Sequence, residues 1–204
     1  MAEFKVKLDS VDAGAKNMKN KGQVMHDHFV SSKKLIANDM HNIWKGKRYK
    51  EFVESFNSIL PDINKMLELV YATIPMTIWK IADNYDNYDG TSLVSPQNYS
   101  HENITAIDVP NDEVVTQNVD EATKVKNRIK NELEQVATKD LIDYKNLFDS
   151  IQWSGTSHDK FVQELDDAKR TLIQNINKIN EAFDTCINNA IKDAQSVEQA
   201  NSVN

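Results

Sequence analysis

The sequence predicts an all-α protein: two helix-turn-helix hairpins packed antiparallel as one elongated four-helix bundle. Three observations predict it. The 204 residues include only 5 Gly and 4 Pro, well below the roughly 12% of average usage, which argues against a turn-rich β sandwich or barrel. Apolar residues recur at steps of three and four along four segments, the signature of helices with one buried face. Trp-x-Gly also occurs twice, at Trp44-Lys45-Gly46 and Trp153-Ser154-Gly155, each near the middle of a similar length of chain. The repeat divides the chain into a first hairpin (1–89), a linker (90–110) and a second hairpin (111–204).

The first helix carries Leu8, Val11, Ala15, Met18, Met25, Phe29, Ile36, Met40 and Ile43 on one stripe. Gly14 and Gly22 weaken it by about 1 kcal/mol each relative to Ala. The second carries Tyr49, Phe52, Val53, Phe56, Ile59, Leu60, Ile63, Leu67, Val70, Ile74, Ile78, Ile81, Ala82 and Tyr85. Pro61 and Pro75 each remove a helical donor, so this segment is expected to bend or to break into two helices. From Gly90 to Asp112 no helical period survives and turn formers collect, which reads as a linker. The third segment carries Val115, Val119, Ala122, Val125, Ile129, Leu133, Val136, Leu147 and Ile151. The fourth carries Phe161, Leu165, Ala168, Leu172, Ile176, Ile179, Phe183, Cys186 and Ala190, and Thr156 with Asp159, or Ser157, can cap its start.

Several function classes are excluded. No apolar run is long enough for a transmembrane helix, and the start Met1-Ala2-Glu3-Phe4-Lys5 lacks the apolar core of a cleavable secretory signal. The single cysteine, Cys186, cannot form an internal disulfide and occupies a core step. A net charge of −7 disfavours nucleic acid as a partner. No metal-ligand, nucleophile or phosphate-loop pattern appears. His26 and His28 point about 200° apart on a helix and share no metal easily. The sequence therefore offers no catalytic residues, no metal site and no cofactor, and is read as a non-enzyme.

Glycine tolerates the positive φ that a helical hairpin turn needs, and a tryptophan two residues earlier can bury a large ring at the end of the bundle. With these two turns, and with Tyr85-Asp86-Asn87-Tyr88-Asp89 at the end of the first hairpin, the chain resembles the WXG family of early-secreted-antigen-like proteins. That family is exported by bacterial type VII secretion. The resemblance implies hairpins of about a hundred residues that pair antiparallel. It also implies a secretion signal of the form Tyr-x-x-x-Asp/Glu, here Tyr85 and Asp89, which share a helix face. The second hairpin has no such signal after Phe183. The halves also differ in charge: 13 basic and 12 acidic residues precede position 96, and 11 and 19 follow. The chain thus reads as a fused heterodimer.

A helix of about 35 residues is about 50 Å long, and the linker, at about 3.3 Å per residue, can travel that distance. An antiparallel bundle would then bring Trp153 and Gly155 beside Tyr85 and Asp89. The resemblance implies a substrate or accessory component of type VII secretion. Such a protein is made in the bacterial cytoplasm, exported folded and without a cleavable signal peptide, and recognised by the secretion ATPase. Another WXG-like protein or a secreted toxin would be a further partner. An adaptor that binds the helical N-terminus of a larger toxin, and a purely structural helical protein, are the alternatives.

Overall fold

The structure is a computed structural model and describes residues 8–90, 94, 97–109, 117–151 and 156–202. Among these residues it is all-α, with four long helices and no strand. Helix α1 runs through Leu8–Lys34, a π-helical turn Leu35–Met40 and His41–Ile43. Helix α2 comprises Lys47–Leu67, a π-helical turn Glu68–Thr73 and Ile74–Asp89. Helix α3 comprises Val119–Gln135, a π-helical turn Val136–Asp140 and Leu141–Ser150, and α4 is the single helix Thr156–Ser202. Asn118 caps α3, its side chain accepting from the Glu121 N–H at 3.1 Å.

Helix α1 packs beside α2 and α3, and α4 packs beside the same two helices from the other corner. The cross-hairpin contacts run antiparallel. Between α1 and α3, Asp39 meets Arg128, His28 meets Glu132 and Lys21 meets Asp143. Between α2 and α4, Arg48 meets Asp193 and Asp62 meets Asn175. The apolar stripes therefore close on one another, and a continuous core runs from Val11 and Ile151 at one end to Trp44 and Phe183 at the other.

The π-helical turns correct the expected stripes. In α3, the turn at 136–140 shifts the inward face, so Tyr144 and Phe148 are buried while Leu147 is only partly so. In α1 the core continues to Trp44, leaving Ile43 partly exposed. In α2 the stripe ends at Ala82 and Asp86, and Tyr85 is 40% exposed instead of continuing the core. Pro61 lies inside an uninterrupted α-helical stretch and causes no break. Pro75 follows the π turn, in which Ile74 N–H bonds Leu69 O. In that register the next donor would serve Val70 O, and Pro75 has none. The buried Tyr144 hydroxyl donates to Val70 O instead, at 2.7 Å. Similarly, the buried Tyr49 hydroxyl donates to Ile36 O, within the π turn of α1, at 3.0 Å.

The two weak points of α1 are sites of close approach. A Cβ at Gly22 would sit 2.9 Å from the Tyr71 backbone of α2, so α1 and α2 meet there without room for a side chain. At Gly14 the nearest atom is the flexible tip of Ile151.

Residues 97–109 form no regular element and lie along the first hairpin, burying Tyr99, Ile104 and Ile107. Two asparagines of α2 hold this strap by its backbone. The Asn57 amide accepts from Ile107 N–H at 2.9 Å and donates to Ile107 O at 3.0 Å. Asn64 does the same for Ile104, at 2.8 and 3.1 Å. The spacing explains the fit, because seven helical residues and three extended residues each span about 10 Å. From α1, Lys19 donates to Asn98 O and Lys33 to the Thr105 hydroxyl. Residues 97–109 of the linker expected between the hairpins are thus a docked element.

Replacing Asn57 or Asn64 with Ala leaves a strap N–H and C=O without their partners. Each change should cost about 1–3 kcal/mol, read as a lowered urea midpoint. Unchanged midpoints would mean that Tyr99, Ile104 and Ile107 alone hold the strap. The buried phenols make a second prediction. Burial, with Asp12 adding to it, pushes Tyr99 up to about 12, and burial alone raises Tyr144 well above the usual value of 10. Their stabilisation is complete below pH 10 and should fall away as pH rises through 12, because the folded state resists ionisation that the unfolded chain accepts. Near-ultraviolet phenolate absorbance should appear together with loss of helical circular dichroism.

Candidate recognition surface

The first Trp-x-Gly turn is rigid and deeply built in. Gly46 has φ 99°, ψ −165°, a conformation that a side chain resists, and α2 begins immediately after it. Trp44 is extended, forms an isolated antiparallel bridge with Gln117, and is reinforced by the Asn118 N–H bonding Ile43 O at 3.1 Å. The start of the second hairpin therefore ties down the turn of the first. The Trp44 indole is 1% exposed. It stacks on Phe52 at 6.0 Å, and Phe183 of α4 meets both rings edge-on at 5.7 and 5.5 Å. This end of the bundle is thus an aromatic node shared by α1, α2 and α4.

Outside the node, Arg48 grips Asp193 through Nε and Nη2 at 2.8 and 3.2 Å and pairs with Glu51 on its own helix. The hydrogen bond from Arg48 holds the Asp193 carboxyl below its ordinary range. Cys186 is buried close by, and burial pushes its thiol up, with Glu51 adding to the effect, so the reactive thiolate is disfavoured. Beyond Ala190 every described side chain of α4 is exposed, so the helix projects past the core.

The end of α2 holds the expected signal. Tyr85 is 40% exposed and Tyr88 91% exposed, and Asp89 is the last helical residue. Asp86, between them, is buried. Its backbone carbonyl accepts the Gly90 N–H at 2.8 Å, Gly90 lying in the left-handed region, and its carboxylate accepts the Val94 N–H at 3.0 Å. Asp86 therefore fixes the chain as it leaves the helix and presents Tyr85 and Tyr88 outward. The Asp89 side chain, Trp153 and Gly155 lie outside the described residues. Trp79 is partly buried, its ring 6.4 Å from Tyr99 of the strap.

Between α1 and α3, His28 Nδ1 faces Glu132 at 2.6 Å and Nε2 faces the buried Asp140 at 3.4 Å. One imidazole of α1 thus faces two carboxylates of α3, which joins the helices. Among the described residues no group of His, Cys, Asp and Glu side chains could hold a metal, and no helix is long and apolar enough to cross a membrane. Comparison with protein families, with curated proteins and with solved structures finds no match for this chain.

Sequence reasoning missed Asn57 and Asn64, because amides on an exposed helix face carry no periodic apolar signal. Their separation of two full turns, opposite an irregular linker, was the available clue. It also missed the Arg48–Asp193 pair, which depends on which helices become neighbours.

Trp44→Ala should lower stability by about 3–5 kcal/mol, because it removes a ring packed on both α2 and α4 and leaves a cavity. Thermal melts of the purified protein test this. A melt unchanged from wild type would contradict burial of the indole.

Proposed function

We propose that this protein is a non-enzymatic substrate or accessory component of bacterial type VII secretion, a fused pair of WXG-like hairpins exported as a folded bundle. The observation that carries the reading is the buried Trp44 in a tight turn closed by Gly46, packed against the other hairpin of an antiparallel bundle. The resemblance in the sequence predicts this arrangement. The signal would be Tyr85 with Asp89, on an α2 end where Tyr85 and Tyr88 are exposed and Asp86 holds the departing chain. The secretion ATPase would read that end of the bundle together with the Trp153-x-Gly155 turn.

Tyr85→Ala tests the reading in the native bacterium. The variant should keep wild-type cellular levels and disappear from the culture supernatant, as the wild type does when the secretion ATPase is deleted. Wild-type protein that never reaches the supernatant would sink the secreted-substrate reading.

A further inference from the structure

A second surface lies away from both hairpin ends. Up to Leu67, α2 lies close to α4: Phe52 meets Phe183, and the buried Asn175 donates to Asp62 at 3.0 Å. Beyond its π turn, Ile74–Asp89 of α2 packs on α1 instead. The early turns of α4 lie on α3, through Phe161 against Phe148 and Lys145 against Asp166. The two helices therefore part, and a cleft with a volume of about 380 Å³ opens between them.

The floor of the cleft is apolar, with Ile63, Met66 and Leu69 from α2 and Leu172 from α4. Its rim is acidic on both sides, with Asp62 and Glu68 on α2 and Glu164 and Asp167 on α4. Lys65 is the only cation among the lining residues. The charge partners of Glu164, Asp167 and Glu68 are Lys160, Arg170 and His101, none of which lines the cleft. The cleft runs along two antiparallel helices from residue 62 to residue 73 of α2, about 16 Å at 1.5 Å per residue. That length accommodates apolar anchors at i, i+4 and i+7 of a third helix, which span about 10 Å, and the flanking residues would then face the carboxylates.

We propose that the α2–α4 cleft is a docking site for a basic amphipathic helix of a partner protein. The charge of the rim selects the sign of the partner, and the apolar floor takes its anchors. A second copy of this chain is disfavoured as the occupant, because each copy carries a net charge of −7. The inference concerns a face distinct from the Tyr85 end and stands whether or not the protein is exported.

The test is fluorescence anisotropy with two synthetic helical peptides, each carrying Leu at i, i+4 and i+7, one flanked by Lys and the other by Glu. The Lys peptide should bind the full chain and the Glu peptide should not. The double substitution Glu164→Lys and Asp167→Lys should weaken Lys-peptide binding by at least about tenfold. Ala168→Trp, which fills the cleft, should abolish binding while the helical circular dichroism is kept. Reversing Glu181 and Glu198, exposed on α4 and outside the cleft, should leave binding within about twofold of wild type, and this separates the cleft from general attraction to an acidic protein. Equal loss from the two charge reversals, or binding that survives Ala168→Trp, would overturn the proposal. So would sedimentation showing a homodimer that Ala168→Trp dissociates, because the occupant would then be a second copy.

Discussion

Burying the Trp44 indole requires both hairpins at once. Phe52 stacks on the ring and Tyr49 meets it edge-on from within the first hairpin, and Phe183 of α4 packs on it from the second. The backbone of the same residue pairs with Gln117, just ahead of α3. One side chain and its peptide unit thus fix where the second hairpin begins and where its last helix passes. The antiparallel order follows, because Phe183 lies late in α4 and must stand beside the turn that begins α2. Exposing a ring of this size would forfeit a large apolar area, so a lone first hairpin is left with a demand that only the second can meet.

The helices meet that demand by changing register. Each of α1, α2 and α3 contains a π-helical turn, and in two of them a buried tyrosine hydroxyl bonds a carbonyl, Tyr49 at Ile36 and Tyr144 at Val70, the latter in place of the donor Pro75 lacks. The arrangement conserves backbone hydrogen bonding in a dry core, where an unmet carbonyl is costly. It also explains why α2 can turn away from α4 and onto α1 after Leu67, which leaves the acidic cleft open.

Much of the fold was legible in the sequence because helical periodicity is a local property. The α4 stripe from Phe161 to Ala190 is buried nearly as read, with Ala168 only partly so, since no π turn interrupts it. The stripes of α1 and α3 drifted at Ile43 and Leu147, where an added residue per turn moves the inward face by a fraction of a turn that no three-or-four pattern encodes. Tyr85 looked like a core residue because it continues the spacing of Ile78 and Ala82. Its exposure is set by how far the neighbouring helices extend, which is a tertiary fact. The linker was legible as irregular chain. Its docking was not, because Asn57 and Asn64 recognise a backbone and leave no mark on the linker's own residues.

The strap has a consequence for the order in which the molecule can assemble during synthesis. Every partner that holds residues 97–109 named above lies earlier in the chain: Lys19, Lys33, Asn57, Asn64, Glu68 and Trp79. The outer groove of the first hairpin can therefore be sealed by the segment that leaves the ribosome directly behind it, through contacts that need nothing from the second hairpin. Only the inner face, with Trp44 at its end, must wait for α3 and α4. A nascent chain at that stage presents a single sticky side, and the next residues to emerge are those that cover it.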